Sequence, residues 1–135
     1  MVSDFDEIHK IADISKEHLD FIKSYPYPFS VLLKPKEDFL QNDLPNVSDY
    51  EYVSVRVANL DCQKRLLEEI WPIFLTSANI SWEAEIYDLE EAKKLFWHYN
   101  DIEFIQDFKT IKKIPPSDIF KITPSLELEF LRKNH

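Results

Sequence analysis

The sequence predicts an α/β domain built on a mixed sheet. Apolar segments of strand length alternate with helix-periodic segments through the middle of the chain. Two strand-like segments close it, Ile119–Ile122 and Leu126–Leu131, and point to antiparallel as well as parallel pairing. The length of 135 residues, 44% hydrophobic and 30% charged, suits a single domain over 1–135 with a core of its own, without disulfide or metal staples.

Ser3 followed by DFDEIHKIAD reads as a short capped helix with Phe5, Ile8 and Ile11 on one face. Ser15 caps a second helix over about 16–24, with Leu19 and Ile22 inward, and Tyr25-Pro26-Tyr27-Pro28 ends it. Phe29–Lys34 is a strand. Residues 35–50, with Pro35, Pro45, Asn42 and Asn46, read as a polar loop. Glu51–Ala58 alternates, with Val53, Val55 and Val57 on one face and Tyr52, Ser54 and Arg56 on the other. Asp61 caps a helix to Ile70 that buries Leu66, Leu67 and Ile70. Pro72–Thr76 reads as a buried strand running into the polar turn Ser77–Ser81. Asp88 and Glu91 form a capping box for a helix to about Phe96, and Ile102–Ile105 is a short strand.

Composition excludes several classes. Sixteen basic against 25 acidic residues give a net charge of −9, so a protein that coats phosphates nonspecifically is not expected. The single cysteine, Cys62, rules out an internal disulfide framework and a Cys-rich zinc site, and reads as a small buried or partly buried filler. His9, His18, His98 and His135 have no metal-ligand spacing and read as surface residues. The first ten residues lack an apolar signal core, and the longest apolar stretch, Ile70–Leu75, is far short of the ~20 residues of a membrane helix. A cytoplasmic protein without a membrane span is expected.

There is no glycine, where average usage of about 7% predicts about nine. A glycine-rich phosphate loop or dinucleotide fingerprint is therefore impossible. Backbone positions with positive φ must be avoided or filled by another residue. Asn is the next most tolerant, and Asn42, Asn46, Asn59, Asn79, Asn100 and Asn134 fall at expected loops or element ends.

The most informative segment for chemistry is Pro72-Ile-Phe-Leu-Thr-Ser-Ala-Asn-Ile-Ser81, an apolar run ending in short hydroxyl and amide side chains that can hold an anion or simply close a turn. TSANIS resembles the T-S-A-N-x-S-G motif of the YrdC/Sua5 family of L-threonylcarbamoyladenylate synthases. Four further segments agree in order. Pro26-Tyr-Pro-Phe-Ser-Val-Leu-Leu33 is similar to P-G-P-x-T, and Val53-Ser-Val-Arg-Val57 to V-x-V-R-x-P. Pro116-Ser-Asp-Ile-Phe-Lys-Ile122 is similar to P-S-T-I-V-D, and Leu131-Arg-Lys-Asn134 to L-R-x-G.

The resemblance implies a YrdC-like twisted mixed sheet flanked by helices. It also implies a synthase that joins L-threonine, bicarbonate and ATP, with Mg2+ accompanying the ATP, into threonylcarbamoyl-AMP and pyrophosphate. A tRNA-modification partner protein would take the product. By motif, Arg56, Ser77 and Ser117 are implied to contact threonine, and Asn79, Arg132, Tyr52 and Tyr87 the nucleotide. No metal ligand and no catalytic side chain is assigned, and direct nucleic-acid binding is expected to be weak or absent. The alternative is a non-catalytic YrdC-like module that binds nucleotide or double-stranded RNA, which would need Lys109, Lys112, Lys113, Lys121, Arg132 and Lys133 to cluster.

The chain departs from the family pattern in two ways. Family members open with a block containing a Lys-x-Arg element, and Lys10 stands alone before Ser15. This predicts an N-terminally truncated domain lacking the first strands, with an open sheet edge and no activity by itself. Trp71, Trp82 and Trp97 fall at or near family glycines in this glycine-free chain, as expected if UGA glycine codons were translated as tryptophan. Tyr27 and Asn134 replace family glycines too, which no single codon explains.

Overall fold

The computed structural model of the chain describes residues 1–42, 50–71, 73–104 and 115–135, with backbone alone at 40–42. In chain order the elements are α1 Ile8–Ile11, α2 Lys16–Lys23, β1 Phe29–Leu33, α3 Glu37–Asn42, β2 Val53–Val55, α4 Asp61–Glu69, α5 Leu89–Phe96, β3 Asp118–Ile122 and β4 Leu128–Arg132. They divide into two compact units, Met1–Ile73 with Pro115–His135, and Phe74–Ile114.

The first unit is an open, twisted four-stranded sheet in the order β2-β1-β3-β4. β1 runs parallel to β3, with Phe29 opposite Asp118, Ser30 opposite Ile119 and Val31 opposite Phe120. The outer pairs, β1 with β2 and β3 with β4, are antiparallel. The expected mixed α/β architecture is present.

Side chains alternate across the sheet. Val31 is opposite both Val55 and Phe120, and all three are buried in one row. Ile8 and Ile11 of α1, Leu19 and Ile22 of α2, and Phe39 of α3 complete this core with Val2 and Ala12. Each large apolar side chain so enclosed contributes roughly 1.5–3 kcal/mol. Ser15 caps α2 as expected, its Oγ accepting from the His18 N–H at 3.2 Å.

Several expected elements differ. Ser3 does not cap α1. The Asp4 carboxylate accepts from the N–H groups of Asp6 and Glu7 at 2.8 and 3.0 Å, and this local turn holds the chain out of helix until Ile8. The loop expected over 35–50 contains α3. The Lys36 N–H bonds the Ile11 carbonyl at 2.8 Å, and the helix begins one residue later with Glu37 and Asp38 at its positive end. The rest of that loop, 43–49, lies outside the described residues.

The strand expected at Glu51–Ala58 is regular only over Val53–Val55. Beyond it, at 56–58, the edge beside β2 is covered by Val2, whose N–H bonds the Arg56 carbonyl at 2.9 Å and whose carbonyl accepts from Ala58 at 2.8 Å. α4 buries Leu67 but leaves Leu66 and Ile70 exposed, and Asp61 is its first residue and not its cap. Cys62 is likewise exposed.

Residues 73–76 form no strand, and Phe74 and Leu75 are 73% and 49% exposed. The Ile73 carbonyl accepts from the Met1 ammonium at 2.7 Å and not from a sheet ladder. A short apolar run has no period, so it cannot specify a strand. Pro72 lies outside the described residues. Residues 102–104 are not a strand either, and 105 is not described.

In the second unit the Asp88 carboxylate caps α5 as expected, accepting from the Glu91 N–H at 2.9 Å. Among the described residues of this unit none is buried. Trp82 is fully exposed with φ 75°, a left-handed backbone that suits glycine and strains a bulky side chain. Trp97, at φ −55°, makes no such demand.

Among the described residues the non-glycine positions with positive φ are Trp82 and Leu126; no Asn holds one. Leu126 closes the β3–β4 hairpin. Its N–H bonds the Thr123 carbonyl at 3.0 Å, and the Thr123 N–H bonds the Glu127 carbonyl at 2.9 Å. This is a three-residue loop whose last position is left-handed, and it is why β4 starts at Leu128 and not at Leu126. Leu126→Gly or Leu126→Asn should therefore stabilise the protein by about 1 kcal/mol, the steric cost of this conformation. A rise in the urea midpoint at unchanged slope checks it.

Candidate anion-binding face of the sheet

The register that turns Val31, Val55 and Phe120 inward turns their neighbours outward. Ser30 is opposite Ile119, which is opposite Arg132. Arg56 follows Val55 and emerges on this same face. Arg56, Ser30, Ile119 and Arg132 thus form one row across β2, β1, β3 and β4. Three strand spacings put the two arginine Cα atoms roughly 14 Å apart.

The two guanidiniums share this face within electrostatic reach. Burial, and then the charge of Arg132, lower the Arg56 pKa below the usual arginine value. The Met1 ammonium is also lowered, by burial and then by Arg56. Among the described residues no carboxylate pairs with either arginine. Two like charges, the Arg56 one half-buried and the Arg132 one exposed, thus share one face, and neither is ion-paired to a carboxylate among the described residues. Such a pair is destabilising until an anion arrives, and guanidinium forks match carboxylate and phosphate geometry.

Ser117 lies on the same face, two residues before Ile119, and is buried. Its carbonyl accepts from Arg132 Nε at 2.9 Å. That leaves both terminal nitrogens of Arg132 for another partner. Further along the face, Tyr52 lies under Lys121, whose Nζ is 3.6 Å from the ring centroid, with Lys34 at 5.9 Å.

Behind Ser117, on the core side, Asp118 is 2% exposed. Its Oδ2 accepts from the Tyr25 hydroxyl at 2.6 Å and bonds His135 Nδ1 at 2.8 Å, and its Oδ1 accepts from the Asn134 N–H at 2.7 Å. Burial alone would raise its pKa; these hydrogen bonds and the His135 charge outweigh burial and hold it below the usual carboxylate range. Tyr25 is raised above the ordinary phenol value by burial and by its bond to Asp118.

Of the residues implied by sequence, Arg56, Ser117, Arg132 and Tyr52 share this face of the first unit. Ser77, Asn79 and Tyr87 belong to the second unit. There Ser77 is exposed, and its carbonyl accepts from the Asn79 N–H at 3.1 Å. Asn79 Nδ2 donates to the Ile80 and Glu83 carbonyls, both at 3.0 Å, so it closes its own turn. The Tyr87 hydroxyl donates to Glu85 at 2.6 Å, and that bond, with a lesser effect of desolvation, raises its pKa. A cleft of about 400 Å³ lined by Glu83, Ile86, Glu91 and Lys94 contains none of the candidate residues.

Sequence reasoning missed Ser30, whose 9% exposed residue sits in the row between the arginines, and Lys121 over Tyr52. Ser30 falls at the threonine of the P-G-P-x-T pattern, a signal available before the structure. Lys121 was named in the sequence only as one of six cations that would need to cluster; its place over Tyr52 carried no signal, because that neighbourhood depends on pairing between distant strands.

The first unit is thus an open mixed α/β sheet with helices on one face and both arginines on the other. A family model, Sua5/YciO/YrdC, described as "Telomere recombination", matches residues 1–134. The chain belongs to the Sua5/YciO/YrdC family. Comparisons with curated proteins and with solved structures find no match. Among the described residues no helix is long and apolar enough to cross a membrane.

The folded Asp118 carboxyl ionises at lower pH than the unfolded one, so the unfolded chain takes up the proton first as pH falls. Its contribution is therefore complete at neutral pH and is lost on acidification below about 4. Asp118→Asn should be less stable than wild type at pH 7, and the gap should narrow as urea unfolding is repeated down to about pH 3.

Proposed function

We propose that this chain is the YrdC-like domain of a threonylcarbamoyl-AMP synthase acting in tRNA modification. The observation that carries the proposal is the Arg56–Arg132 pair, on one sheet face without a carboxylate partner among the described residues. The two substrates are both anions, an amino-acid carboxylate and a triphosphate, and two guanidiniums on one sheet face, the Arg56 one half-buried and the Arg132 one exposed, suit both.

In this reading Arg56 grips the threonine carboxylate bidentately, with Ser117 beside it. Arg132 and Tyr52 hold the nucleotide. The resemblance adds Ser77 to the threonine contacts, and Asn79 and Tyr87 to those of the nucleotide. The threonine amine condenses with bicarbonate, releasing water and forming a carbamate. A carbamate oxygen then bonds the α-phosphorus of ATP as the bond to the bridging oxygen breaks and pyrophosphate leaves. The chain's contribution is orientation and positive charge where the phosphate charge grows.

Mg2+ would arrive with the triphosphate, which shares its coordination with water. Among the described residues no group of three acidic, His or Cys side chains is placed to hold a metal. The product would pass to a partner that modifies tRNA. Direct RNA binding is disfavoured by the net charge of −9.

A second reading, a module that binds the ligands without turnover, is favoured by one feature: the Asn79 amide donor is already spent on its own turn, beside the fully exposed Trp82. Threonine-dependent pyrophosphate release separates the two, since binding of ATP and threonine without release supports the second reading. Under the enzymatic reading, Arg56→Lys loses the bidentate grip and should weaken threonine binding about tenfold, with ATP binding little changed. Calorimetric titration of each ligand checks it; equal threonine affinity in the two proteins would contradict the role given to Arg56.

A further inference from the structure

We infer that Asp118 is a positioning residue for Arg132, acting through the C-terminal segment that it clasps. The inference deepens the proposed function, since it rests on Arg132 as a nucleotide contact.

A carboxylate removed from water is costly unless its oxygens are satisfied. Asp118 is buried at the start of β3, and two of the three groups on it come from the last two residues of the chain, the Asn134 N–H and the His135 ring. The third is the Tyr25 hydroxyl, which follows α2. Tyr27 stacks on the His135 ring, with centroids 3.8 Å apart and planes 16° from parallel. Residues 134–135 are thus held on the core side of the sheet, while Arg132, two residues earlier, emerges on the other side.

The segment is held from the far side as well. Asn134 Nδ2 donates to the Pro116 carbonyl at 2.8 Å and, more weakly, to that of Ser117 at 3.4 Å. Arg132 Nε donates to the Ser117 carbonyl. The pairing of β3 with β4 shifts register between Ile119 and Phe120, one residue before the Ile119–Arg132 pair. Without a clasp, Arg132 would sit at a frayed strand end with a long side chain free to sample many rotamers. With it, Nε is fixed and the two terminal nitrogens point as a pair. Asp118 stands where the P-S-T motif has Thr, and Asn134 where L-R-x-G has Gly, so two departures from the pattern bond to each other.

The test uses the full chain labelled with 15N and follows the Arg132 Nε–H resonance, identified by its loss in Arg132→Lys. In wild type it should be resolved and slow to exchange with water. Asn134→Pro removes the N–H that Asp118 accepts together with the side-chain bonds to the Pro116 and Ser117 carbonyls, Asn134→Ala removes those side-chain bonds alone and should leave the resonance nearer wild type, and Asp118→Ala removes the acceptor. In Asn134→Pro and in Asp118→Ala, once circular dichroism shows the variant folded, the resonance should collapse toward the position of a free arginine. ATP affinity should fall about tenfold while L-threonine affinity stays within about twofold. Should Asp118→Ala not fold, the difference between Asn134→Pro and Asn134→Ala decides. A resonance unchanged in folded Asn134→Pro or Asp118→Ala, or unprotected in wild type, overturns the inference. Collapse of the resonance with ATP affinity unchanged upholds the positioning and removes Arg132 from the nucleotide contacts.

Discussion

Everything described for the first unit depends on the register of the parallel pair β1–β3. It joins residues some ninety positions apart and sets Val31 against Phe120. A shift of one residue would reverse the faces of β3 relative to its neighbour. Phe120 would leave the helices and Asp118 would lose its enclosure. The register is held because one face is densely apolar, so burial of the row Val31, Val55, Phe120 also decides where Arg56, Ser30 and Arg132 emerge.

Electrostatics then separates the two sides of the sheet. A chain of net charge −9 places two arginines on one sheet face, neither ion-paired to an acid among the described residues, and confines a carboxylate to the opposite side of the same sheet. Asp118 is satisfied by hydrogen bonds from a tyrosine, a backbone amide and a histidine, so it does not neutralise the guanidiniums through direct pairing. The like-charge arrangement suits an anion from solution, and the general excess of negative charge makes its capture a short-range matter of geometry.

Much of this was legible in the residues. Alternation over 53–57 placed Arg56 opposite the valines, Ser15 and Asp88 announced helices that they do cap, and the terminal pair of strands foretold a mixed sheet. The order of five short motifs pointed to the family that residues 1–134 match. Other features were hidden for physical reasons. Phe74 and Leu75 lie in an apolar run that carries no period, and the structure leaves both exposed. The lack of glycine suggested Asn at left-handed positions, yet Leu126 and Trp82 hold them, because tertiary context and hairpin closure override local tolerance. α3 was masked by the prolines and asparagines around it. The place of Lys121 over Tyr52 and the Asp118 clasp became visible only through contacts between strands distant in sequence.

The central claim is that the arginine-bearing face of the sheet receives the amino acid and the nucleotide. A crystal structure of the chain grown with L-threonine and a non-hydrolysable ATP analogue tests it most directly. The account predicts the threonine carboxylate within hydrogen-bonding distance of the Arg56 guanidinium and a phosphate or ribose oxygen on Arg132. Both ligands bound away from that face, with the two arginines still on it, would contradict it.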